Sequence, residues 1–378
     1  MVYFDNSATT EPLKEVSEIM KDVFYNYYGN PSSLHSLGKK AEDKLIESRK
    51  ILADTIGAEE SEIIFTSGGS ECNNFLIKGF VKPGLHIITS KIEHPSVLNT
   101  FAQLERWGVK VTYIDVDDKG KIKLQDLENS ITKDTVLVSI MHVNNETGTI
   151  QDIKAISKTI KAKSSRVKFH VDAVQSYGKL KINPKKMGID LLSTSSHKIY
   201  GPRGIGFAYV RKGLVPEPLI AGGGQEFGLR AGTENLPAIA AFAYAAKNIH
   251  QNMEENYVKV KKLKEYFIDK IFKIDDIRIN CGLGDDFLPH VVNVSFNGVR
   301  GEVLVHALEE KDIYVSTGSA CSSKKKHISH VLAAMGIENC YMDGALRFSF
   351  SPRNTIEEID YAVENLEKIL KFLRRIKK

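Results

Sequence analysis

Between residues 40 and 210, short apolar runs bounded by turns alternate with stretches of helical spacing, and this alternation constrains the fold most. EIIF (62–65), HIIT (86–89), VTYIDV (111–116), TVLVSIMHV (135–143), VKFHVD (167–172) and IDLLST (189–194) read as strands. PSVLNTFAQLERWG, LQDLENSI and DIKAISKTIKAK, lying between them, carry the helical period. Strands that are apolar on both faces need helices on both faces, which implies an α/β fold with a mainly parallel sheet. Ligands in such sheets bind beyond the carboxyl ends of the strands. Chemistry is therefore sought at strand ends.

A glycine-rich loop, GGGQEFGLRAGTEN (222–235), closes this region, and a long helical pattern follows to about Ile274. Strand candidates then appear at RIN (278–280), HVVNVSF (290–296) and ALRFSF (345–350), with helical patterns at GEVLVHALEEK and TIEEIDYAVENLEKILKFLRRIKK. This predicts a second, smaller α+β unit. The chain of 378 residues is 42% hydrophobic and 26% charged, ordinary for a globular protein. A net charge of +5 over that length is too slight to argue for direct nucleic-acid binding. Four cysteines (Cys72, Cys281, Cys321, Cys340) form neither a disulfide framework nor a CxxC zinc pair, so no resident metal is expected. MVYFDNSATT lacks the pattern of a signal peptide, and no stretch approaches the ~18 apolar residues of a membrane span. A reducing cytoplasm is the expected location.

Five strand ends carry candidate chemistry. In FTSGGSECNN a small-residue turn leads from a strand into a helix. That arrangement is an anion site with Gly69, Ser70 and the Ser67 hydroxyl, or simply a tight strand–helix connection. In STSSHKIYGPRGIG, Lys198 is either a surface lysine or a Schiff-base amine with Ser195 and His197 as phosphate donors. Asp172 ends the strand of FHVDAVQ, where a buried carboxylate needs a cation. His94, in SKIEHPSVL, can serve as a helix cap or as a site residue, and MHVNNETG supplies a fifth strand end. Together, an anion cradle, an amine and a carboxylate on one sheet edge meet the needs of pyridoxal 5′-phosphate.

YFDNSATT, YGNPSSLH, FTSGGSECNN, HVDAVQSYGKL, SSHKIYGPRGIG, RAGTEN, STGSACSS and LRFS, in this order, closely resemble the cysteine desulfurases of the class V aminotransferase group. The resemblance runs almost end to end. It implies fold type I, with a mainly parallel seven-stranded sheet between helices in a large domain (13–255). The smaller α+β domain would comprise residues 1–12 and 256–378 and carry the cysteine loop. By resemblance, Lys198 holds the cofactor, Asp172 pairs with its ring nitrogen and His94 stacks over the ring. Gln175 and Asn145 meet its phenolic oxygen, while Gly69, Ser70, Ser195 and His197 hold the phosphate. Thr233 would reach the phosphate site of a neighbouring subunit, which implies a homodimer. Arg347, with Asn145, would bind the substrate carboxylate.

Cys321, in STGSACSSKKKHISH, matches the family's nucleophile and its long-loop branch. The resemblance implies a persulfide on Cys321, L-alanine as product, and transfer to a sulfur acceptor. That acceptor would be an iron–sulfur scaffold or a tRNA-thiolation enzyme, with Cys321 able to serve as a transient cluster ligand. Lys324, Lys325 and Lys326 would favour the thiolate. SGGSE replaces the common SGATE and keeps a hydroxyl at Ser70. Scaffold-feeding members often extend beyond the last helix, whereas this sequence ends at FLRRIKK. Selenocysteine lyase and other class V aminotransferases are the alternatives, separable by rates with selenocysteine and by pyruvate-dependent amino transfer. A sulfur carrier or RNA-binding protein without catalysis would purify colourless.

Overall fold

The computed structural model describes residues 1–317 and 329–376. Its large sheet has seven strands, in the order Ile63–Thr66, Gly206–Val210, Leu191–Ser193, Lys168–Asp172, Thr135–Met141, His86–Ser90 and Lys110–Ile114. All neighbours are parallel except Gly206–Val210, which runs against both of its partners. Four of the strands are buried at every residue, as a sheet covered on both faces requires. The reversed strand was not among those expected, because its glycines interrupt the run. Gly206 is nonetheless required there: a Cβ would lie 2.9 Å from the Gly68 Cα on the neighbouring turn.

Leu236–Gln251 packs against Lys14–Asn26 and Ser36–Ile56 on one face of this sheet. Its run of alanines lets the backbones approach, with Ala241 and Ala245 against Val16. The single long helix expected up to Ile274 is two helices, Leu236–Gln251 and Met253–Ile271, broken at Asn252. Asn252 itself has φ −109° and ψ 12°, outside the helical region.

A second sheet is antiparallel, in the order Ala345–Ser349, Val291–Phe296, Ile277–Ile279. Val2–Tyr3 pairs in parallel with Ile313–Tyr314, and Asp5 bridges to Ser349. Phe4 and Val2 thus belong to the apolar cluster of Phe267, Phe348 and Phe350. The backbone beyond Phe4 continues over the carboxyl ends of the parallel strands, where Thr10 N donates to His197 O. Chain start, sheet edge and small sheet therefore meet at one place. No helix among the described residues is long and apolar enough to cross a membrane.

Candidate functional site

At that meeting point lies a cavity of about 550 Å³. Asp172 and Met141 reach it from strand ends, Ser195, His197 and Lys198 from the short 3-10 turn, and Arg347 from the small sheet. Gly69, Ser70, His94, Asn145 and Gln175 also line it. Ten residues singled out in the sequence are thereby brought together. Thr233 is not one of them: it borders a separate cavity of about 230 Å³ with Arg230, Glu226 and Glu234. Cys321 lies outside the described residues.

Lys198 Nζ donates to the carbonyls of Ser7 and, at 2.7 Å, Ala8. Burial pushes its pKa down to about 7, helped by the charges of Arg347 and Lys179 and opposed by Asp5 and Asp172. An ordinary lysine is protonated at neutral pH; burial makes this one far easier to deprotonate. Asp172 is buried, its Oδ2 accepting from Asn73 Nδ2 at 2.8 Å and its Oδ1 from Val174 N at 3.0 Å.

His94 is both cap and site residue. It precedes the helix Pro95–Arg106, and its Nδ1 accepts the Ser96 N–H at 3.1 Å. That bond leaves the proton of the neutral ring on Nε2. Burial lowers its pKa, with Lys198 and His330 adding to the effect against Asp172. Arg347 donates from Nη2 to Asp5 Oδ1 at 2.7 Å and from Nη1 to Asn145 O at 3.1 Å. Its Nε is buried without a partner among the described residues.

The far end opens into a cavity of about 430 Å³ lined by Ser67, Gly68, Gly69, Ser70, Ser195 and His197, with Arg203 at its rim. The helix Gly69–Lys78 starts here, so its first N–H groups and positive dipole end face this space. Gly68 has φ +145°, and a Cβ there would stand 3.8 Å from Ser195 Oγ, inside the cradle. Burial drives His197 down to about 4, so its ring is neutral and acts through hydrogen bonds. The Glu71 carboxylate also borders this space, where it accepts from Arg230 Nε at 2.9 Å and from Ser67 N at 2.8 Å. Small backbone, hydroxyls and an arginine suit a phosphate; a soft amine and a buried carboxylate suit a pyridine aldehyde. Pyridoxal 5′-phosphate fits these residues.

The model of the family "Aminotransferase class-V" matches residues 2–362. The chain belongs to the class V aminotransferase family. The "NifS/IcsS protein homolog" of Lactobacillus delbrueckii subsp. bulgaricus is 46% identical, over 100% of this chain and 99% of that protein. A "Cysteine desulfurase IscS" of Methanosarcina thermophila is 45% identical, over 99% of this chain and 93% of that protein. Among solved structures, a "NIFS-LIKE PROTEIN" superposes with TM-score 0.92 at 39% identity, covering 98% and 99% of the two chains. A structure titled "SspA in complex with cysteine" gives TM-score 0.82 at 38% identity, covering 94% and 100%.

Four residues of this class V chain were missed in the sequence reading: Asn73, Arg203, His330 and Asp5. Asn73 sits one helical turn beyond the glycine cradle and looked like helix filler. His330 lines the large cavity and bonds through Nε2 to Glu93 O at 3.0 Å. Its only signal was its place in HISH near Cys321. Arg203 and Asp5 lie within stretches quoted for resemblance, but their direction toward the site depends on tertiary contacts.

Proposed function

We propose that this protein is a pyridoxal-phosphate-dependent cysteine desulfurase, taking sulfur from L-cysteine and releasing L-alanine. One observation carries the reading: Lys198, Asp172 and Arg347, from three separate chain segments, line one cavity with the Gly69–Ser70 cradle at its end. Full-length relatives bearing the desulfurase name support it.

When bound, the cofactor supplies an electron sink that acidifies the Cα proton of an amino acid. Lys198 would hold it, Asp172 would keep its ring nitrogen protonated, and Gln175 and Asn145 would meet its phenolic oxygen. Gly69, Ser70, Ser195 and His197 would hold the phosphate. Arg347 presents a fork to the cysteine carboxylate, already aligned by Asp5 and Asn145. Lys198 Nζ, soft at neutral pH, takes the Cα proton. His94 Nε2–H is available for proton transfer at the ring or substrate face. The Cys321 thiolate attacks the substrate sulfur; an S–S bond forms as the C–S bond breaks, leaving a persulfide on Cys321.

The same reading includes a homodimer completed by Thr233. Phe24, Tyr25 and Tyr28 are 64%, 66% and 70% exposed, and Phe227, near Thr233 in sequence, is 59% exposed. It includes a division into 13–255 and a smaller unit of 1–12 with 256–378, supported by the shared apolar cluster of Val2, Phe4 and the small sheet. It also includes a cytoplasmic address and delivery of sulfur to an iron–sulfur scaffold or tRNA-thiolation enzyme.

The test is a single turnover of purified protein with L-cysteine. Alanine should appear, with an added sulfur of about 32 Da on the peptide holding Cys321. Alanine formed at full rate by Cys321→Ala, or amino transfer to pyruvate instead, overturns the reading.

A further inference from the structure

Lys179 is a buried lysine that the site chemistry above does not use. It follows Gly178, whose φ of +73° turns the chain; a Cβ on Gly178 would meet Ile199 and Ile249 at 2.9 Å. The turn brings Lys179 beneath Gln175, and its Nζ donates to Gln175 Oε1 at 3.5 Å. The other end of that amide is also taken: Gln175 Nε2 donates to Ser7 O at 3.0 Å. Ser7 O is in turn an acceptor of Lys198 Nζ. A continuous path therefore runs from Lys179 through the Gln175 amide and the Ser7 carbonyl to the Lys198 amine.

The two contacts of Gln175 decide which way its amide faces. With a cation at Oε1, the flipped amide would set its NH₂ against an ammonium and its oxygen against the Ser7 carbonyl, which is repulsive at both ends. Burying an ammonium without a carboxylate costs several kcal/mol, so packing alone would favour an apolar residue here.

We propose that Lys179 is a positioning residue that locks the Gln175 amide and, through charge and the shared Ser7 carbonyl, holds the proton state of Lys198. The inference rests on the reading of Lys198 as the cofactor lysine. The groups facing Lys198 are Lys179, Arg347, Asp5 and Asp172, with His94 and His197 alongside. Lys179 is itself lowered to about 8, by burial and then by Arg347.

The experiment measures the pH dependence of Lys198 acetylation in the full-length chain freed of cofactor, by mass spectrometry. In Lys179→Met the midpoint for Lys198 should rise by about one pH unit, because a nearby positive charge is lost. In Lys179→Arg it should stay within a few tenths of a unit, as the charge remains. On reloading, Lys179→Met should bind pyridoxal phosphate several-fold more weakly, since its Gln175 amide is free to turn. If Lys179→Met folds poorly, Lys179→Gln provides the same neutral comparison. An unchanged Lys198 midpoint in a folded neutral variant overturns the proposal. The labelling readout needs no turnover, so a protein that makes no alanine but shows the shift would sink the desulfurase reading alone.

Discussion

Arg347 N donates to Ser316 O at 2.6 Å, so the segment ending at Thr317 is tied to the strand that places the Arg347 guanidinium at the large cavity. Arg347 also bonds Asp5 and Asn145, which leaves it little freedom to relocate. Arg347→Lys keeps the charge and loses the planar fork. We expect kcat/KM for L-cysteine to fall by about 10- to 100-fold, mostly through KM, as measured by alanine release. An unchanged KM would place the substrate carboxylate elsewhere.

The cysteines should differ sharply in reactivity. Cys72 is fully buried, bonded to Thr66 Oγ1 at 2.9 Å, and burial pushes its thiol up to about 12. Iodoacetamide at pH 7.5 should leave Cys72 unlabelled in the native protein while modifying exposed Cys340. Replacing Cys72, Cys281 or Cys340 should change alanine production little, whereas Cys321→Ala should lower it by several orders of magnitude.

Arg49 and Glu226 form a bidentate pair at 2.8 and 2.7 Å, with side chains 7% and 1% exposed. Glu226 also accepts the Phe65 N–H at 2.7 Å, and Arg49 donates to Ile63 O. Glu226 and Phe227 have positive φ values of 50° and 59°, a strained backbone held by this pair. Arg49→Met strands a buried carboxylate and should cost about 3–5 kcal/mol, read as a lower urea midpoint. Retained stability would show that the loop is held by other contacts.

Glu93 gives the stability a pH dependence of defined sign. Burial raises its pKa to about 8 from the ordinary 4.5, against bonds from Ser90 Oγ and Met141 N, and its Oε2 has no partner among the described residues. Raised in the folded state, Glu93 contributes fully below the unfolded pKa and loses that contribution as pH rises toward about 8. Glu93→Gln mimics the protonated form. Relative to the parent it should gain stability between pH 5 and 8, by up to about 1.4 kcal/mol per unit, in urea titrations at each pH. A constant difference would mean that Glu93 is ionised throughout.

Local patterns were enough for the strands, the strand-end chemistry and the resemblance, because apolar runs and small-residue turns report neighbours in sequence. Lys198, Asp172 and the glycine cradle were legible for that reason: Asp172 ends its strand, the cradle opens its helix, and Lys198 lies in the short turn just after a strand. The reversed strand Gly206–Val210 was not legible, since its glycine serves a close approach to Gly68, 138 residues away. Asp5, Asn73 and His330 were equally silent. Their roles come from contacts with Arg347, Asp172 and Glu93 that no spacing encodes. Tertiary structure alone decided the lysine chemistry as well. A lysine's softness is set by desolvation and by charges remote in sequence, here Arg347 of the small sheet and Lys179 of the turn beyond Lys168–Asp172, that meet only in the folded chain.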